Sequence, residues 1–234
     1  AKIEGMTGVH VMRDGRYLGA VGLEDTIKPN TKTVVARLRE LGVRQVAMFT
    51  GDRLSVAKRV GVAVGVDNVE AECHPEEKHD LIKGMVKGGY QVMMVGDGIN
   101  DGPSLAEADV GVAMGLSGSD IAANSTGVAL MNNNLSHIPF LIKLGRRTHA
   151  ITKQNIIASI IIATVGLVLA VAVVGPNAGA YALPIAAFYH FFGDIFVIGN
   201  SFRLFRFGES FVEAEKGTEQ AAPRRSASLR GLAT

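Results

Sequence analysis

Two carboxylates sit on one tight turn in Met93-Met94-Val95-Gly96-Asp97-Gly98-Ile99-Asn100-Asp101. The apolar run before them is short, continuous and followed at once by turn residues, the pattern of a buried parallel strand. Gly96 and Gly98 at the strand end let backbone come close to a ligand. Asp97 and Asp101 are hard oxygen donors. Mg²⁺ uses such a pair when phosphate oxygens and waters fill its other positions. Asn100 stands beside them. In an open α/β sheet the ligand lies beyond the carboxyl ends of the strands. A calcium loop or a decorated turn is the alternative, but no further regularly spaced acids and no closing glutamate follow.

Two other stretches supply what phosphoryl transfer needs. Thr50-Gly51-Asp52 ends a second apolar strand, where a hydroxyl and a backbone amide can hold phosphate oxygens. Lys78 lies at the start of a helix and can neutralise a phosphoryl group. Alone, Lys78 reads as a solvated surface lysine. Phosphoryl transfer is mostly positioning and charge stabilisation, and the three motifs together provide both.

The elements that must position these residues follow from periodicity. Asp14-Gly15 between Val9–Arg13 and Tyr17–Leu23 signals a hairpin. Helices are expected over 31–41, 53–64, 75–87 and 103–108, the third opened by Pro75 with Glu76 and Glu77 in its first turn. Strands are expected over 45–50, 93–96, 110–114 and 127–131. This alternation predicts an α/β fold with a parallel sheet and helices on both faces. The net charge of +2 on 234 residues gives no argument for nucleic acid. Cys73 is the single cysteine, so no intrachain disulfide forms. The chain opens on alanine and is expected to be a fragment.

Composition changes at Gly145. Arg146, Arg147, His149 and Lys153 precede Ile156–Val174, a run without charge that nearly spans a hydrocarbon core at about 1.5 Å per residue. A turn at 175–179 leads to Tyr181–Phe202, interrupted by His190, Asp194 and Asn200 and closed by Arg203 and Arg206. Basic residues at both outer ends, and none in the turn, predict a two-helix transmembrane hairpin with both ends cytoplasmic. A buried core hairpin of a soluble protein is the alternative. Residues after Glu209 read as a disordered tail.

Thr50-Gly51-Asp52 followed by Gly96-Asp97-Gly98-Ile99-Asn100-Asp101-Gly102-Pro103 resembles the haloacid-dehalogenase-like phosphorylation domain of P-type ATPases. Lys28 with Asp25, Ala108–Gly115 and Gly118–Ala122 fit the same pattern. Gly102, Ser104 and Ser119 depart from its usual residues, and Leu116-Ser117 lengthens its glycine loop. Two membrane helices after the domain resemble the heavy-metal branch. The resemblance implies a HAD-like Rossmannoid sheet followed by the transmembrane hairpin. It divides the chain into 1–22, the end of a nucleotide-binding domain; 23–144, the phosphorylation domain; 145–208, the hairpin; and 209–234, a cytoplasmic tail. It implies that Thr50 and Lys78 contact the phosphoryl group, that Asp97 ligates Mg²⁺, and that Asn100 and Asp101 support both. ATP, Mg²⁺ and a transported divalent transition metal are the implied cofactors and cargo. A lipid bilayer, expected to be the plasma membrane, and the upstream part of the same protein are the implied partners. The acceptor motif Asp-Lys-Thr-Gly-Thr is absent from this chain, so its strand is expected upstream, and the fragment alone is expected to be inactive.

His190 and Asp194, one helical turn apart inside an apolar run, are the transported-metal candidates. Imidazole with carboxylate suits Zn²⁺, Co²⁺ or Fe²⁺ rather than Cu⁺. His190 falls where a cobalt-and-zinc-like subgroup has the histidine of His-Glu-Gly-Gly-Thr, although the glutamate is missing here. Helix packing is the other reading of the pair. A copper pump, a phosphatase of the same fold and an inactive truncated membrane protein are the rival functions.

Overall fold

The computed structural model describes residues 7–23, 26–97, 100–115, 126–169 and 182–221. The expectations for Asp25, Gly98, the glycine loop around 116–122, the turn at 175–179 and the tail beyond 221 lie outside the described residues. The molecule divides into two compact units, Ala1–Pro139 and Phe140–Thr234. The division falls close to the composition change at Gly145.

In the first unit, β1 (Thr7–Arg13) and β2 (Arg16–Leu23) form the expected antiparallel hairpin. Its two turn residues, Asp14 and Gly15, both have positive φ (49° and 75°), as a type I′ turn requires. Helix α1 (Thr31–Glu40) buries Val34 and Val35. β3 (Ala47–Phe49) leads to α2 (Leu54–Val64), which ends at Gly65 in the left-handed conformation. A strand that the sequence reading did not anticipate, β4 (Asn68–Glu70), pairs in parallel with β3. Asn68-Val69-Glu70 has a single apolar residue and no apolar run, unlike the equally short β3, which is why it was not legible. α3 (Pro75–Lys87) begins at the expected proline. His74 precedes it, and its N–H donates to Glu77 Oε2 at 2.8 Å, so a carboxylate covers the helix start.

β5 (Met93–Gly96), α4 (Gly102–Glu107), β6 (Val110–Met114) and β7 (Val128–Leu130) complete the unit. β5, β6 and β7 form a parallel sheet in that order, with Met94 opposite Gly111 and Val112 opposite Val128. The core lies between α3, β5 and α4, where Ile82, Met94 and Leu105 pack together. Phe49 of β3 packs against the same cluster, which brings the two parallel sheets to one core. Among the described residues β3 pairs only with β4, and β5 only with β6. Among the described residues each of these two motif-bearing strands therefore pairs on one edge.

The second unit is built on two long helices. α5 (His137–Leu169) carries Pro139 in its first turn, and α6 (Ala182–Ala221) carries Pro184 in its first turn, where proline costs no hydrogen bond. Among the described residues only α5 is long and apolar enough to cross a membrane. Only 6% of its apolar window is buried, unlike the core helix of a soluble protein. α6 carries His190, Asp194 and Asn200 within its apolar run. It also runs through Ala221, so residues 209–221, expected to begin a disordered tail, are helical. Glu, Ala, Lys and Gln are good helix formers, and extending an existing helix needs no new nucleus.

Candidate functional site

The Thr50 loop is held by its own side chains and by β4. Thr50 Oγ1 donates to Asp52 Oδ2 at 2.8 Å, and the Asp52 N–H donates back to Thr50 Oγ1 at 3.1 Å. Thr50 N–H donates to the Glu70 carbonyl at 3.0 Å, and Cys73 N–H to the Thr50 carbonyl at 3.0 Å. Asp52 thus orients the Thr50 hydroxyl at the carboxyl end of β3. Gly51 has room for a side chain, since a Cβ there would meet only the Cys73 carbonyl at 3.8 Å.

Lys78 and Asp101, widely separated in sequence, form an ion pair: Nζ lies 3.1 Å from Oδ1, and both side chains are 16% exposed. Helix α3 brings the lysine and the turn before α4 brings the carboxylate. Lys78 is therefore no solvated surface residue. Gly96 makes room for the pair, because a Cβ there would lie 2.8 Å from Asp101 Oδ2. His79 Nδ1 lies 3.2 Å from the Pro103 carbonyl and ties the same helix to the start of α4. Asp97 and Asn100 are exposed at the carboxyl end of β5.

The structure thus joins Lys78 to Asp101 and Thr50 to Asp52, and it sets Asp97 at the end of β5. Among the described residues no three His, Cys, Asp or Glu side chains gather as a complete metal cage. An exposed carboxylate at a strand end fits Mg²⁺ nonetheless, because Mg²⁺ takes one or two carboxylates and leaves its other positions to phosphate and water. Asp101 gives one oxygen to Lys78. His190 and Asp194 lie in the second unit, on one face of α6, and both are exposed.

Three acids were given no role of their own in the sequence reading. The Glu72 N–H donates to the Asp52 carbonyl at 2.9 Å, and Glu72 Oε1 accepts from the Leu54 N–H at 3.5 Å at the start of α2. Asp109 Oδ2 accepts from the Val92 N–H at 2.7 Å and pins the entry to β5. The Asp67 carboxylate accepts from Val46 N–H and from Arg39. Each sits beside a strand end in sequence, which was the available signal.

Cys73 lies against this loop. Burial pushes its thiol pKa up, Glu77 and Glu70 push it further, and Lys78 partly opposes them. The thiolate is the reactive form, so the thiol should alkylate slowly at neutral pH. Iodoacetamide labelling of the native chain across pH should show a midpoint above that of a free cysteine peptide. A midpoint at or below the peptide's would contradict this arrangement.

Residues 3–109 match the family model of haloacid dehalogenase-like hydrolases. The chain is 39% identical, over 83% of its length, to a zinc-exporting P-type ATPase of Mycobacterium marinum, of which it covers 26%. It is 38% identical to a manganese-exporting P-type ATPase of Mycobacterium leprae, again over 83% of this chain and 26% of that one. It is 37% identical to a probable cadmium-transporting ATPase of Staphylococcus aureus, over 87% of this chain and 27% of that one. A crystal structure of a zinc-transporting PIB-type ATPase in an E2.Pi state aligns with a TM-score of 0.69 at 32% identity, covering 87% of this chain and 32% of that one. The chain therefore belongs to the heavy-metal P-type ATPases, carries a haloacid dehalogenase-like hydrolase domain, and spans about a quarter of the length of the curated relatives it matches.

Proposed function

We propose that the chain is the phosphoryl-handling and final membrane part of an ATP-driven exporter of a divalent transition metal. The observation that carries this reading is the Lys78–Asp101 pair at the end of β5, beside Asp97 and in the same unit as the Thr50–Asp52 turn. In this reading an upstream strand with the acceptor aspartate inserts between β3 and β5, the two motif strands that each pair on one edge among the described residues. The acceptor would then lie between the Thr50 turn and Asp97, and the pump would work through an aspartyl-phosphate.

Within that site Thr50 and the Gly51 amide hold phosphoryl oxygens, and Asp52 sets the direction of the hydroxyl. Lys78 neutralises phosphoryl charge, and Asp101 fixes its ammonium group. Asp97, with Asp101 and Asn100 beside it, holds Mg²⁺, while Gly96 and Gly98 let the nucleotide's phosphates approach. Bound Mg²⁺ supplies charge neutralisation on phosphoryl oxygens. The two long helices lie in a bilayer, taken to be the plasma membrane, with the hydrolase domain and the C-terminus cytoplasmic. The basic residues around Arg146 and Arg203 support that orientation.

His190 and Asp194 belong to the transport site, with further ligands from upstream helices. Burying a carboxylate at membrane depth is costly unless a cation offsets it. On the α5 side, Thr164 donates to the Ile160 carbonyl at 2.8 Å and is spent within its own helix. The relatives' names include zinc, manganese and cadmium, and imidazole with carboxylate suits such divalent ions.

Metal-stimulated ATPase assays on the full-length protein test this, with Zn²⁺, Cd²⁺, Co²⁺, Mn²⁺ and Cu⁺ in turn. A divalent ion should stimulate. Stimulation by Cu⁺ alone, or by none of them, would overturn the proposal. His190→Ala should weaken metal-stimulated turnover about tenfold or more, at least what loss of an outer-shell partner of a ligand costs. Phosphorylation from inorganic phosphate should stay intact, because that back reaction uses only the cytoplasmic site. If both His190→Ala and Asp194→Ala keep wild-type metal dependence, the pair is structural.

A further inference from the structure

The two long helices meet along a seam that contains one directed polar relay. Arg203 Nη1 donates to Asn200 Oδ1 at 3.0 Å. Asn200 Nδ2 donates to Asn155 Oδ1 at 2.8 Å. Asn155 Nδ2 donates to Ser201 Oγ at 3.0 Å, and Ser201 Oγ donates to the Val197 carbonyl at 2.8 Å. Arginine can only donate, so it fixes which end of the Asn200 amide faces Asn155. Gln154 Oε1 lies 3.5 Å from both Asn200 Nδ2 and Arg203 Nη1 and completes the cluster.

The rest of the seam is apolar and small. A Cβ on Gly166 would lie 2.8 Å from the Tyr189 ring, and one on Gly193 would lie 3.4 Å from Ile162 Cγ2. The contacts advance in step on the two antiparallel helices. They run through Gly166, Ile162 and Asn155 on α5, and through Tyr189, Gly193 and Asn200 on α6. These steps of four and then seven are the spacing of a coiled-coil seam. Either side of it α6 is also apolar, with Phe188, Phe191, Phe192, Ile195 and Ile198 exposed. Apolar packing alone therefore discriminates weakly between one rotation of α6 and the next.

We propose that the Asn155–Asn200 amide pair is the register and rotation lock of these two helices. It thereby positions His190 and Asp194. A polar group at one level of an apolar seam is the best-attested device for fixing register, and here a slip breaks both bonds of Asn155 across the seam, to Asn200 and to Ser201, leaving Asn200 only Arg203 on its own helix. His190 and Asp194 each follow a seam residue, Tyr189 and Gly193, so they stand about 100° around the helix from α5. Both are exposed there, open to other helices. A one-residue rotation would press them into the seam against Gly166 and Ile162. The role given to His190 and Asp194 rests on the transport reading above, whereas the lock itself does not.

Disulfide formation reports the register directly. In a Cys73→Ser background, Ile162→Cys is combined with Gly193→Cys, the observed register, or with Asp194→Cys, the rotated one. The chain is oxidised in detergent and in lipid vesicles. The first pair should cross-link in clear preference to the second. Asn200→Leu and Asn155→Leu should each cut that preference about tenfold, the scale of interhelical amide bonds. Asn200→Asp keeps the volume and the acceptor for Arg203 but cannot donate to Asn155, so it should cut the preference without loss of helicity by circular dichroism. Unchanged preference in Asn200→Asp and Asn155→Leu overturns the lock. Alkaline extraction of the vesicles reports membrane insertion separately, so failure of the membrane reading shows there while the detergent ratio still decides the lock.

Discussion

Asp97→Asn should lower turnover of the full-length protein by more than about 100-fold, because a Mg²⁺ site with one or two carboxylates loses much of its charge with either. Asp97 is exposed at the carboxyl end of β5, where the cation would meet phosphate. Asp52 makes a useful contrast. Its Oδ2 accepts from the Thr50 hydroxyl, and its backbone N–H donates back. Asparagine keeps an oxygen for the first bond and leaves the second untouched. Asp52→Asn should therefore cost about tenfold or less, the lower end for residues that orient others. Metal-stimulated ATPase assays on the two variants at saturating Mg²⁺ separate these roles. Wild-type turnover in Asp97→Asn would place the Mg²⁺ elsewhere. An Asp52→Asn defect as deep as that of Asp97→Asn would make Asp52 a ligand rather than an orienting group.

The motif residues were legible in the sequence because each sits where an apolar run breaks. A strand that ends in Thr50-Gly51-Asp52 or in Gly96-Asp97 announces both the element and the turn. Lys78 was legible as a helix start because Pro75 and two glutamates mark one, but its partner was not. Ion pairing between α3 and the turn before α4 depends on how the two elements pack against Met94 and Leu105, and no local pattern encodes that. β4 stayed hidden for a different reason. Its pairing with β3 is set by tertiary hydrogen bonds, and its three residues hold one apolar side chain and no apolar run. The polar seam between α5 and α6 was equally silent. Gln154, Asn155, Asn200 and Ser201 look like ordinary flanks of apolar runs until the antiparallel register places them together. The end of α6 was misjudged because polarity was read as disorder. Helix continuation depends on propensity and on the turn already formed, not on burial.

Gly111→Ala should be the most destabilising single-methyl change in the first unit. Gly111 is buried on β6, opposite Met94 of β5. A Cβ there would run into the backbone carbonyl of Leu105, a residue that is only 1% exposed. Backbone cannot swing aside as a side-chain tip can. Either β6 leaves its register with β5, or α4 moves outward as a body. Overpacking of this kind costs about 3 kcal/mol. For a unit of this size that lowers Tm by roughly 10 °C. The consequence reaches the site, because the Leu105 N–H donates to the Asp101 carbonyl at 2.8 Å and α4 carries Asp101 at its start. Displacing α4 should therefore lengthen the Lys78–Asp101 pair as well. Gly84 provides the opposite case. It is exposed in the interior of α3, and a Cβ there meets nothing within 4 Å. Gly84→Ala removes chain entropy from the unfolded state and should stabilise by about 0.5–1 kcal/mol. Thermal unfolding followed by circular dichroism should move the two variants in opposite directions. A Gly111→Ala protein as stable as the parent would mean that the approach of α4 to β6 is looser than the structure shows.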